Sequence, residues 1–183
     1  MSTNTEAIIE DLYHVPDNQK AEIVHGEIVL MSPTGKKPNR AGFKICFRLY
    51  EYELRTRRGI AVADNAGFSV NLPHRKAFSP DAAFYVGKDT DMKFFEGAPV
   101  FAAEVRSEND YGPAAERDIQ EKIADYFAAG PLVVWDVDLI GQNTVRVYRS
   151  DNPDKPTIYR RGEVAKAEPA VPGWSMAVDD LFQ

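Results

Sequence analysis

The chain has 183 residues, 44% of them apolar, 11% aromatic and 27% charged, with a single cysteine and a formal net charge of −6. Such a chain buries its own core as one soluble domain over residues 1–183, and collagen, coiled-coil and disordered classes are excluded. No apolar run approaches the roughly 20 residues of a membrane span, Cys46 alone builds no disulfide framework or thiolate cluster, and the opening Met1-Ser-Thr-Asn-Thr-Glu lacks the regions of a secretion signal, so the cytoplasm is the expected location.

A short helix is expected from about Thr5 to Tyr13, ended by Val15-Pro16. Glu22-Ile-Val-His-Gly-Glu-Ile-Val-Leu alternates about His25-Gly26, the pattern of a β-hairpin. After the loop Ser32 to Pro38, Phe43, Phe47, Tyr50 and Leu54 recur at helical spacing with Cys46 beside them, predicting a helix over Asn39 to Arg58 that packs on this stripe. Arg40, Lys44, Arg48 and Arg55 share a second stripe beside it. Eight basic residues against Glu51 and Glu53 give Lys36 to Arg58 a charge of +6 and leave −12 elsewhere. A local excess of this size attracts phosphate within a Debye length of roughly 8–10 Å, although a solvated helix face would carry the same charges.

Strands are expected at Phe68-Val70-Leu72, after Ser79-Pro80-Asp81, and over Pro99 to Ser107, the last apolar enough to be buried on both faces. Pro113 suits the first turn of a helix that runs to Ala129 and stops at Gly130. Leu132 to Asp138, Thr144 to Arg149 and Thr157 to Arg160 read as further strands. Pro169 to Gln183 reads as an irregular clasp held by Trp174 and Leu181-Phe182. Strands and helices mixed around one sheet give an α/β or α+β fold.

Candidate chemistry lies where polar groups interrupt this packing. Alternation along Phe101 to Arg106 puts Ala102, Glu104 and Arg106 on one face, and a glutamate in such a run must be paired or metal-bound. Lys122 falls inside the buried stripe Ile119, Ile123 and Tyr126, where an ammonium needs an anionic partner. Asp81 opens a strand behind Pro80, which cannot donate a ladder hydrogen bond. Two carboxylates and a lysine on consecutive elements suit a divalent-cation site with a proton-transfer or phosphate-contacting group. They equally suit a buried Lys122–Glu104 ion pair with Asp81 capping a turn, and spacing leaves both open.

Ser79-Pro-Asp81, Gly97-Ala-Pro99, Glu104-Val-Arg-Ser107, Arg117-Asp118 with Lys122 and Tyr126 before Ala129-Gly130, Trp135-Asp-Val-Asp138 and Val145-Arg-Val-Tyr148 together resemble the Uma-type family of putative restriction endonucleases. This family belongs to the PD-(D/E)XK nuclease superfamily. The hairpin Glu22 to Glu27, Met31-Ser-Pro33 and Asp180-Leu-Phe182 extend the match over nearly the whole chain. The resemblance implies a restriction-endonuclease-like mixed sheet flanked by helices, with an N-terminal hairpin. It implies hydrolysis of DNA phosphodiesters, with Asp81, Glu104 and the Val105 carbonyl holding Mg²⁺, for which Mn²⁺ substitutes. Lys122 takes the place of a lysine that the superfamily often carries two residues after the glutamate, where Arg106 stands and could contact phosphate. Glu22 matches an acidic position that orients water or ligates from outside. Arg40, Lys44, Arg48 and Arg55 would hold backbone phosphates. DNA is the expected partner and a homodimer the expected assembly, with no membrane association. The competing expectations are a nucleic-acid- or protein-binding module with a vestigial nuclease fold, and an oligomer subunit with a structural ion pair. Arg106 stands where the family has an apolar residue, Glu108 where it commonly has proline, and Lys36-Lys-Pro-Asn39 where a histidine often follows.

Overall fold

The computed structural model describes residues 6–183, the Asn18 side chain excepted. Its first helix, α1 (Ile9–Leu12), is a single turn within the expected stretch; Thr5 lies outside the described residues. β1 (Ala21–Val24) pairs with β2 (Glu27–Leu30) as the expected hairpin. His25 and Gly26 both take positive φ, 52° and 76°, the two-residue turn whose twist suits the flanking strands.

Helix α2 (Lys36–Thr56) begins three residues before the expected start and ends at Arg57, whose left-handed conformation caps it. There follow β3 (Ile60–Ala63), the short strands β4 (Phe68–Ser69) and β5 (Ala77–Phe78), β6 (Ala82–Tyr85), the short β7 (Phe95–Glu96), β8 (Phe101–Val105), α3 (Pro113–Ala129), β9 (Val133–Asp138), β10 (Thr144–Arg149) and β11 (Thr157–Arg160). The main sheet has the order β11-β10-β9-β8-β6-β3. Only β8 and β9 run parallel in it, joined by α3 as crossover, because a parallel pair needs a long connection. The sheet is mixed and the fold is the expected mixed α/β one, with α3 spanning the predicted residues.

Alternation along β8 divides the core as the sequence indicates. Phe101, Ala103 and Val105 face α2 and the C-terminal tail, while Ala102 faces α3 with Phe78, Ile123, Tyr126 and Val134. The tail is more regular than expected: β12 (Val164–Lys166) pairs with β13 (Ser175–Ala177), followed by a 3-10 turn over Val178–Phe182. Trp174 packs against Phe101 and Trp135, with centroids 5.7 and 5.2 Å away.

One face is assigned wrongly by the sequence pattern. The residues of α2 that pack are Ala41, Gly42, Ile45, Leu49 and Tyr52, whereas Phe43, Phe47, Tyr50 and Leu54 are 56, 49, 47 and 50% exposed. Close approach of helix to sheet is the reason. A Cβ on Gly42 would lie 3.3 Å from the Asp81 carbonyl oxygen, so the first half of the inward face is built of small and aliphatic side chains, Tyr52 fits only further along against Phe84, and Phe43 and Phe47 point away.

Candidate active site

β6 and β8 pair antiparallel with Ala82 opposite Ala103, which brings Asp81 beside the end of β8. The Asp81 amide donates to the Ala103 carbonyl at 3.1 Å, and the Val105 amide donates back to Asp81 Oδ2 at 2.7 Å. Both backbones hold the Asp81 carboxylate in place. Glu104, on the opposite face of β8 from Val105, meets α3 one crossover later. Lys122 Nζ lies 3.0 Å from Glu104 Oε1 and 3.0 Å from Glu22 Oε1. Tyr126, one turn further along α3, donates its hydroxyl to the same Glu104 oxygen at 2.5 Å.

Glu22 is deeper. β1 delivers it to a pocket where Arg75 Nη1 stands 2.6 Å from Oε2 and the Ser79 amide donates to Oε1 at 2.9 Å. Arg75 is fixed in turn by Asp125 at 2.7 Å, and Asp125 meets His74 Nε2 at 2.6 Å. A second ammonium serves Asp81: Lys20 Nζ lies 2.8 Å from Asp81 Oδ1 and 2.6 Å from Asp64 Oδ1.

These contacts set the protonation states. Burial raises the Glu104 pKa; Lys122 opposes that, while Asp81 and Glu22 add to it, and the net position is above the usual carboxylate value. Glu22 is buried too, but Lys122 and Arg75 outweigh desolvation and hold it below. Desolvation opposes the charge on Lys122, and Glu104 with Glu22 overcome it, so the ammonium is strongly retained. Lys20 is held above its ordinary value in the same way, against desolvation, by Asp81 and Glu104. The phenol of Tyr126 is pushed well up by burial and by Glu104, so it stays a hydrogen-bond donor.

Asp81, Glu104, Val105, Arg106, Lys122 and Lys20 line one cavity of about 1120 Å³, whose wall also includes 31–38 and 107–111. The Glu104 and Lys122 side chains are 23% and 21% exposed, against 5% for Glu22. The first two are open to a ligand, and Glu22 stands behind them.

Arg106 lines the cavity with its guanidinium already engaged by carboxylates. It grips Asp136 through Nε at 2.7 Å and Nη2 at 2.6 Å and also pairs with Glu116. The usual apolar position is thus filled by a buried ion pair with β9. The basic stripe of α2 is divided as well. Lys44 donates to the carbonyls of Asp180 and Gln183, and Arg48 pairs with Glu51 at 3.0 Å and Asp180 at 3.4 Å. These two tie down the tail. Arg40 and Arg55 stay exposed, over the rings of Phe43 and Tyr52.

The profile of Uma2, a family described as putative restriction endonuclease, matches residues 9–179. The chain belongs to this family. No curated protein matches. Four chains of solved structures match, among them one from Anabaena variabilis described as a putative nuclease of DUF820. It is 15% identical with a TM-score of 0.75, and the match covers 96% of this chain and 97% of that one. That likeness establishes the shared fold, and the Uma2 membership brings a nuclease in general terms.

Among the described residues no group of three or more His, Cys, Asp and Glu side chains forms a metal-holding cluster. The donors available are the two carboxylates of Asp81 and Glu104. Oxygen donors in that number fit Mg²⁺, which keeps several waters and uses one or two carboxylates, better than zinc. That two lysines have been drawn to this acidic corner shows the same preference for positive charge. Val105 lines the cavity, and its amide engages Asp81.

Lys20, Asp64 and Arg75 are the site residues that sequence reasoning missed. None interrupts a periodic apolar pattern; each comes from a polar stretch or a loop, and only the folded approach of the segments before β1, after β3 and before β5 brings them in. Tyr126 was legible as core, but its hydroxyl bond to Glu104 was not.

Proposed function

We propose that the chain hydrolyses DNA phosphodiester bonds in a divalent-cation-dependent reaction, at the cavity where β6, β8 and α3 meet. The observation that carries this reading is the convergence of Asp81, Glu104 and Lys122 on one open wall, with Glu22 and Arg75 fixing Lys122 from behind. Asp81 and Glu104 would hold Mg²⁺, or Mn²⁺ in its place, with the Val105 carbonyl as a further ligand. Such an ion lowers the pKa of a bound water and offsets charge on a scissile phosphate. Lys122 offers N–H donors to the attacking water or to phosphate oxygens while keeping its proton, and Glu22 orients the ammonium. Tyr126 fixes Glu104 by donating to it. Arg106, neutralised by Asp136 and Glu116, ties β8 to β9 and is not assigned a phosphate contact. Arg40 and Arg55 would meet backbone phosphates, and Lys44 and Arg48 would add charge from the rim.

The test is calorimetric titration of Mn²⁺ into the wild type, Asp81→Asn and Glu104→Gln, paired with nicking of supercoiled plasmid. Binding and nicking by the wild type, both lost in the variants, is the expected result. A second reading is favoured by the charge balance of the site: each carboxylate already has a cationic partner, as in a purely structural ion-pair network. Absence of any Mn²⁺-dependent rise in melting temperature for the wild type would establish that alternative.

A further inference from the structure

Among the described residues, nothing covers four large apolar side chains on the outward face of α2. Phe43, Phe47, Tyr50 and Leu54, each about half exposed, follow one another at spacings of four, three and four. They form a single line opposite the buried line of Ile45, Leu49 and Tyr52. That spacing is the seam of two packed helices, whereas a helix facing only solvent carries polar residues there.

We propose that a second copy of this chain covers this face, with the two α2 helices antiparallel. In a register centred between Phe47 and Tyr50, Phe43 meets the partner's Leu54 and Phe47 the partner's Tyr50, so one patch is complementary to itself under a two-fold axis. The area agrees. At about 200 Å² for a large side chain, the open halves of the four sum to about 400 Å² per copy. A specific interface at the lower end of the usual range takes about 600 Å² from each partner, roughly two-thirds of it apolar in homodimers, which is the same amount. Lys36, Lys37 and Arg40 crowd the start of the helix; parallel pairing would set all three against their own copies, and antiparallel pairing separates them. The cavity is lined by Gly35 to Pro38 at the start of α2, so the pairing leaves one open cavity at each end.

Light scattering coupled to gel filtration, repeated over a wide micromolar range, tests the proposal. The wild type is expected at twice the chain mass, and Phe47→Glu and Leu54→Glu at the chain mass with unchanged circular dichroism. Both positions are exposed in the single copy, and either variant suffices if the other fails to fold. In a Cys46→Ser background, mixing Phe43→Cys with Leu54→Cys should give a mixed disulfide that neither forms alone. A wild type that remains monomeric overturns the proposal, as do charge variants that stay dimeric or a Phe43→Cys chain that cross-links to itself. The rings could instead stack unpaired bases beside Arg40 and Arg55; a monomeric wild type whose affinity for single-stranded DNA falls in Phe47→Glu would assign the face to nucleic acid and reject the dimer.

Discussion

Lys122 is the residue on which the candidate site balances, since its one ammonium serves both Glu22 and Glu104. Lys122→Met leaves Glu22 with Arg75 and the Ser79 amide but Glu104 with only the Tyr126 hydroxyl in contact, and stability should fall by about 2–4 kcal/mol, as when one partner of a buried pair is removed. Urea unfolding of the variant measures it. Lys20 has the opposite role, because its ammonium lies beside Asp81 where a divalent cation would have to approach. Lys20→Met should tighten Mn²⁺ binding several-fold by calorimetry; unchanged or weaker binding would mean that the lysine does not compete. Glu104 and Lys122 were legible in the sequence because each breaks an apolar pattern at a position whose facing is fixed by a short period. Lys20 and Arg75 were not, since residue spacing holds no information about which loop will fold against which strand end.

At the scale of elements, α3 and the strands β8 to β11 were legible to within a residue or two, helped by Pro113, Gly130 and clean alternation. The existence of α2 was equally plain, but its inward face was not. Amphipathic reading ranks faces by apolar bulk, and a helix that must lie close to a strand inverts the ranking. The turn between β9 and β10 carries a pH-dependent element. Asp138 accepts the amides of Ile140, Gly141 and Gln142 and the hydroxyl of Tyr111. Burial pushes this carboxyl up, and these donors outweigh it, so the folded value lies below the ordinary 3.8. A carboxyl lowered by folding stabilises fully above its unfolded value and loses that contribution as pH falls through the folded one. The melting temperature of Asp138→Asn should therefore lie below that of the wild type at pH 6, with the gap narrowing steadily below pH 4. A gap independent of pH would remove the carboxylate from this account.

Across the whole molecule, the tail completes the core that α2 begins. Trp174 is 5% exposed, its ring lies against Phe101 and Trp135, and its indole N–H donates to the Arg48 carbonyl at 3.1 Å. Trp174→Ala should cost about 3–5 kcal/mol, lowering the urea midpoint in one cooperative transition; a separate early transition would mean that the tail unfolds independently. The sequence marked this aromatic anchor, but not β12 and β13, whose pairing joins short segments too ordinary in composition to stand out. The position of α3 as crossover between β8 and β9 has a kinetic consequence. Asp81, Glu104 and Lys122 all lie within 81–122, so the closing of one strand-helix-strand unit with its antiparallel neighbour assembles them through contacts of short sequence separation, which form early. Glu22 and Lys20 arrive from a distant hairpin. Pulse-labelled hydrogen exchange during refolding should protect β8, α3 and β9 before β1, so that Lys122 finds Glu104 first and acquires its second carboxylate only when the hairpin docks.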